Sequence, residues 1–178
     1  MTELYQIRQK AQDQRLEFLL IGGLAVIEHG FARLTTDLDL LVRKGVGETW
    51  KRMLLGMGYA LINEKESFQQ YDRPGAATWP VDLMLVNDPT YEGLAAASLP
   101  IEVMGASIRM VSLKHLLALK LHVLKQEKIG RFLDDLIDVV ELVKANQLDL
   151  QSPELHDLFL KHGNAELYDK VQRLVKAR

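Results

Sequence analysis

The chain has 178 residues, 48% of them hydrophobic and 26% charged, with a formal net charge of −2 and no cysteine. That is an ordinary globular composition, long enough for one domain or for a compact core with a helical appendage. The near-neutral charge removes any bulk electrostatic drive toward nucleic acid, and the lack of thiols excludes disulfides, thiolate zinc sites and cysteine nucleophiles. No apolar run reaches the roughly 20 residues of a membrane helix, and the polar, amphipathic first residues have no signal-peptide character. These features point to a cytoplasmic protein that binds no membrane.

Helical spacing predicts a first helix over residues 3–17, followed by a short buried strand from Phe18 to Ile21. A glycine turn, Gly22-Gly23, opens a second helix from Leu24 to His29. Residues 37–42 then form an acidic-apolar strand, and residues 46–57 a helix closed at Gly58. Residues 59–62 and 67–71 read as a strand pair, with a turn at Asp72-Arg73-Pro74-Gly75, and Val81 to Val86 as a further strand closed by Asn87-Asp88-Pro89. Residues 101–103 and 107–110 pair around Gly105. Beyond residue 110 the pattern is helical: 113–128, 132–144, 153–162 and 165–177. The expected fold class is α+β, a mixed sheet core with helices over residues 1–110, with a helical C-terminal region over 111–178 packed on it as part of the same or a second domain. The sequence contains no repeat, low-complexity segment or long linker.

The chemistry concentrates at Asp37 and Asp39. Side chains alternate along a strand, so the two carboxylates share a face while Leu38 and Leu40 point to the other. Crowded carboxylates repel, and a divalent cation is the usual resolution. The glycine turn upstream lies within an apolar run (Ile21, Leu24, Ala25, Val26, Ile27) and permits close backbone approach by an anion at the start of a helix. Asp82, after Val81 in a strand headed for the core, needs a partner or a cation, unless its place after Pro80 leaves it solvated. In the helical region Asp134, Asp138 and Glu141 share an outer face, Leu136, Ile137, Val140 and Val143 a buried one, and Asp135 is offset toward the inside. Lys120 sits among Leu116, Leu117, Leu119, Leu121 and Leu124, a snorkelling position unless its amine points at phosphate. Walker-type loops, His-Glu-x-x-His pairs and Gly-x-Ser-x-Gly elbows are missing from the sequence, and the five histidines form no ligand group.

Taken together, Gly22-Gly23-x-Ala25, Gly30, Arg33-x-Thr35-x-Asp37-x-Asp39 and Val81-Asp82-Leu83 resemble the DNA polymerase β-like nucleotidyltransferase superfamily. Within it the pattern looks most like the AbiEii/AbiGii-type toxin nucleotidyltransferases and related small bacterial proteins. Lys120-Leu121 with Asp135-Leu136-x-Asp138 is similar to a lysine and an Asp-Leu-x-Asp segment of that group, with Lys114 a competing alignment for the lysine. The resemblance implies a nucleotidyltransferase-like sheet core and a Mg²⁺-dependent transfer of a nucleoside monophosphate from a nucleoside triphosphate to a hydroxyl acceptor. It implies two Mg²⁺ ions on Asp37, Asp39 and Asp82, and nucleotide contacts from Gly22, Gly23, Arg33 and Thr35. Lys120 and Asp135 would be accessory catalytic residues. The acceptor would be an RNA end such as tRNA, a protein or a small molecule, and a role as the toxin of a toxin–antitoxin pair would add a cognate antitoxin as partner. Many relatives carry serine at the position of Gly23, so a phosphate contact there would be made by backbone alone. A non-catalytic nucleotide- or partner-binding module is the alternative. Basic residues at 43, 44, 51 and 52, and at 170, 173, 176 and 178, are either an RNA surface or solvated faces.

Overall fold

The computed structural model describes residues 2–76, 78–126 and 132–177. By contact density the chain divides into two compact units, residues 1–25 with 34–112, and residues 26–33 with 113–178.

The first unit is built on a seven-stranded mixed sheet of order β3-β4-β5-β2-β1-β7-β6. Its strands are β1 (Leu19–Leu20), β2 (Leu38–Arg43), β3 (Ala60–Lys65), β4 (Phe68–Asp72), β5 (Val81–Val86), β6 (Leu99–Val103) and β7 (Ala106–Met110). The centre is the parallel pair β2·β5, in which Leu38 lies beside Val81, Asp39 beside Asp82 and Leu40 beside Leu83. Leu38, Leu40, Val42, Val81 and Leu83 are fully buried, so the apolar parity of both strands fixes one face to the core. A one-residue slip would put these side chains on the opposite face, which is why the register is specified. Helix α1 (Glu3–Asp13) buries Leu4, Ile7 and Ala11. Helix α3 (Gly47–Gly56), entered through a 3-10 turn at Lys44–Val46, buries Trp50 and Leu54.

Helix α2 runs from Gly22 to Glu28, two residues earlier than the spacing predicts, and Gly22, with φ +63°, is the left-handed turn residue through which the chain enters it. Helix α4 (Asp88–Ala96) is not among the predicted elements. The Asn87-Asp88-Pro89 segment that reads as a strand-closing turn is a helix start. The Asn87 side chain accepts from the Thr90 amide at 2.9 Å and Pro89 sits in the first turn, where its missing N–H is harmless. Turns and helix N-termini use the same residues, and only the downstream residues separate the two.

The second unit comprises α5 (Leu113–Lys125), α6 (Phe132–Ala145), α7 (Pro153–His162) and α8 (Ala165–Lys176), close to the predicted spans. Residues 127 and 128 of the predicted 113–128 helix, and position 178 of the basic tail, lie outside the described residues. Ser152 and Asn164 cap α7 and α8 by accepting from Leu155 and Leu167 amides. Among the described residues no helix is long and apolar enough to cross a membrane.

Candidate active site

β2 and β5 bring three carboxylates together. Asp37 stands at the entry to β2, Asp39 lies inside it, and Asp82 is Asp39's lateral neighbour on β5. One carboxylate oxygen from each of the three lies within 4.8 Å of the other two. Asp82 is only 3% exposed, not solvated as its place after Pro80 would allow. Neighbouring strands sit about 4.8 Å apart, so the parallel register of Asp39 on Asp82 alone accounts for the closeness of that pair. Gln70 on β4 is the next residue in the same row, paired with Asp82. Alternating polarity in β4 gives no hint of it, since only the strand order puts it there.

The turn and the loop hold the acids in place. The Gly23 amide donates to Asp39 Oδ2 at 3.3 Å, and Thr35 Oγ1 donates to Asp37 Oδ1 at 3.1 Å. A Cβ at Gly22 would overlap the Asp39 carboxylate. Glycine is therefore required at 22 twice over, for its positive φ and for the contact with Asp39. The all-oxygen donor set suits a hard divalent cation such as Mg²⁺, which binds through one or two carboxylates and keeps several waters. These residues fit the metal that the resemblance implies.

The remaining predicted site residues gather in the second unit. Lys120 Nζ lies 2.6 Å from Asp135 Oδ1 and 2.7 Å from Asp138 Oδ2, and Arg33 Nε lies 2.8 Å from Asp138 Oδ1. Lys120, Asp135 and Asp138 are 7%, 5% and 1% exposed. Asp138, expected on the outer face of its helix, is thus the most buried carboxylate of the group. Ile137, expected inside, is 49% exposed. The buried arc of α6 is centred on Asp135, Asp138, Val139 and Leu142, and the acids enter it because two cations from elsewhere in the chain neutralise them. Arg33 is 105 positions from Asp138, so no local signal could pair them. Lys120 is anchored at its charge and does not snorkel. Lys114, the competing lysine, is exposed and paired with Glu154 at 2.7 Å.

The first group of basic residues is largely paired. Arg43 faces Glu92, Asp88 and Glu17 at 3.3, 3.5 and 3.8 Å, Lys44 faces Glu66 at 2.6 Å and Lys51 faces Glu64 at 2.7 Å. The hydrogen bonds from Lys51 and Lys44 hold the Glu64 and Glu66 carboxyls below the usual carboxylate range.

The architecture is shared with nucleotidyltransferase-like proteins. ANT(2'')-Ia, solved in complex with adenylyl-2''-tobramycin, superposes with a TM-score of 0.66 at 13% identity, covering 94% of this chain and 95% of that one. An antigenic nucleotidyltransferase-like protein from Paracoccidioides brasiliensis matches with a TM-score of 0.57 at 16% identity, over 100% of this chain and 95% of that chain. The lincosamide antibiotic adenylyltransferase LnuA, solved with lincomycin bound, gives 0.56 at 17% identity, over 79% and 94%. At such identities the likeness is one of fold. No protein-family profile matches the sequence, and a comparison with curated proteins finds no match.

Proposed function

We propose that the chain is a Mg²⁺-dependent nucleotidyltransferase of the DNA polymerase β-like superfamily, moving a nucleoside monophosphate from a nucleoside triphosphate to a hydroxyl group. The observation that carries this reading is the meeting of Asp37, Asp39 and Asp82 on adjacent parallel strands, with a side-chain-free glycine turn pressed against Asp39. The three aspartates would hold the metal. Bound divalent cations supply charge neutralisation at the transferring phosphate and a lowered pKa for the attacking hydroxyl.

The chain's own residues do the positioning. Thr35 fixes Asp37 through its hydroxyl, and the Gly22-Gly23 turn seats Asp39; contacts from this turn and from Arg33 and Thr35 to the nucleotide belong to the proposal, those of the glycines through backbone alone. Asp82, buried on β5, keeps the carboxylate row rigid. Arg33, Lys120 and Asp135 belong to the proposal as a linked charge network that also includes Asp138.

A small hydroxylated molecule is the favoured acceptor. One of the proteins similar in fold is a lincosamide antibiotic adenylyltransferase by name and another is solved with adenylyl-2''-tobramycin, and the carboxylate pairing of Arg43, Lys44 and Lys51 removes part of the surface that RNA would need. The toxin assignment, with an antitoxin as partner, rests on the Lys120 and Asp135-Leu136-x-Asp138 resemblance.

The test is incubation with each labelled triphosphate, with and without Mg²⁺, in the presence of small hydroxylated acceptors, total tRNA or the protein alone. The expected result is Mg²⁺-dependent pyrophosphate release with label on an acceptor, both lost in Asp39→Asn. Nucleotide binding without turnover under every condition would favour the binding-module alternative.

A further inference from the structure

A groove of about 700 Å³ opens in the first unit, lined by the C-terminal half of α1, the chain entering β1, the last residue of β2, α4 and β7. Arg43 stands four positions after Asp39 along β2, so the groove lies roughly 13 Å along the strand from the acidic cluster at a rise of about 3.3 Å per residue. Its charged lining is Arg8, Arg15, Arg43 and Arg109 against Glu17 and Glu92.

The arginines are not equivalent. Arg43 is covered by Glu17, Asp88 and Glu92 and lies over the Tyr91 ring at 4.3 Å. Arg109 bonds only uncharged groups among the described residues, the Ser98 hydroxyl and carbonyl, each at 2.7 Å. Arg8 and Arg15 make no ion pair among the described residues. Three arginines with no carboxylate partner among the described residues thus line one concavity of a protein whose net charge is −2.

Arg15 sits where α1 ends. Helix α1 ends in a Schellman turn, with the Leu16 amide on the Ala11 carbonyl at 2.8 Å and the Arg15 amide on the Gln12 carbonyl at 3.0 Å. Arg15 occupies the left-handed position of that turn, φ +55°, where glycine is strongly preferred. Gln147 holds the same position at the end of α6, φ +50°, so the backbone alone marks no site; it makes Arg15→Gly a substitution that the turn accepts.

We propose that this groove is a second binding site, for a small ligand carrying two or more phosphate groups, held by Arg8, Arg15 and Arg109. Planar guanidinium groups match phosphate oxygens in pairs, and the volume lies within the range of small-molecule sites. A small ligand fits better than a nucleic-acid strand because Lys44 and Lys51, which would extend a basic track from Arg43, are paired with glutamates. The site stands apart from the nucleotidyltransferase reading and does not depend on it.

The experiment is calorimetric titration of the full chain with inorganic pyrophosphate in EDTA at low ionic strength, where the three aspartates repel the probe and the groove does not. Saturable binding that weakens with added salt is expected, reduced roughly tenfold or more by Arg8→Gln and by Arg15→Gly, since hydrogen bonds to charged groups are strong. Arg15→Gly should at the same time raise the melting temperature by removing the strained backbone. An arginine that only supports the fold would not change both quantities in these opposite senses. The proposal is overturned by absence of saturable binding, or by binding indifferent to both arginine variants. It is equally overturned by binding that strengthens in Asp39→Asn and ignores Arg8→Gln, which places the probe at the acidic cluster. Affinity for single-stranded RNA that exceeds that for pyrophosphate and grows with strand length would replace it with a polymer surface.

Discussion

Gly22→Ala is the most direct probe of the acidic cluster, because the magnitude can be worked out from geometry. A left-handed backbone costs an alanine about 1–2 kcal/mol relative to glycine. The new Cβ overlaps the Asp39 carboxylate, so Asp39 must leave its rotamer, at about 0.5–1.5 kcal/mol. In moving it gives up the Gly23 hydrogen bond, worth about 1 kcal/mol. The sum is about 2.5–4.5 kcal/mol. At about 2–4 °C per kcal/mol for a chain of this size, the melting temperature should fall by roughly 5–18 °C. The control is Gly56→Ala at the end of α3, where a Cβ meets nothing within 4 Å and helix propensity favours alanine by up to about 1 kcal/mol. That variant should melt at or above the wild-type temperature. Scanning calorimetry with and without Mg²⁺ reads both effects, since displacing Asp39 should also erase any Mg²⁺-induced stabilisation. A Gly22→Ala protein that melts within about 2 °C of wild type and keeps its Mg²⁺ response would refute the proposed closeness of turn and carboxylate.

Asp37→Asn or Asp39→Asn should abolish Mg²⁺-dependent transfer while leaving the metal-free protein as stable as wild type or slightly more so, because removing one of three crowded carboxylates relieves repulsion; melts in EDTA decide, and a marked drop would make the acids structural. Lys120→Ala should cost about 3–5 kcal/mol in urea unfolding, because it strands the buried Asp135 and Asp138, whereas Lys114→Ala removes an exposed pair and should cost no more than about 1 kcal/mol; equal effects would contradict the buried network. Burial, with smaller contributions from neighbouring lysines, holds His115 and His162 below the ordinary histidine value of 6.5. The unfolded chain therefore takes up protons that the folded one resists, so stability is full above pH about 6.5 and declines as the pH falls through that value. Denaturant midpoints at pH 7.5 and 5.5 should differ less in the His115→Gln, His162→Gln double variant, and an unchanged difference would exclude these two residues as the cause.

Much of the sheet unit is legible in the linear pattern. The alternation Leu38-Asp39-Leu40 and the run Val81 to Val86 specify strands with one buried face, and the shared parity of Asp37 and Asp39 fixes their common side before any fold is known. The capped helices α7 and α8 are equally local, because Ser152 and Asn164 act on amides three residues ahead. Helix α4 escapes the pattern because Asn87-Asp88-Pro89 satisfies a turn and a helix start alike, and the weakly apolar residues after it do not decide between them. Lateral position is absent from any local pattern. That Asp82 lies beside Asp39, with Gln70 next in the row, is a consequence of strand order, and strand order is set by how whole elements pack. The helical acids show the same limit more sharply. Asp138 has the spacing of a solvated face residue, yet it is buried because Arg33 and Lys120, from distant parts of the chain, supply the charges that make its burial tolerable. Local pattern determines which face a side chain takes; only the tertiary structure determines which charges meet, because electrostatic partners are chosen by distance in space and not along the chain.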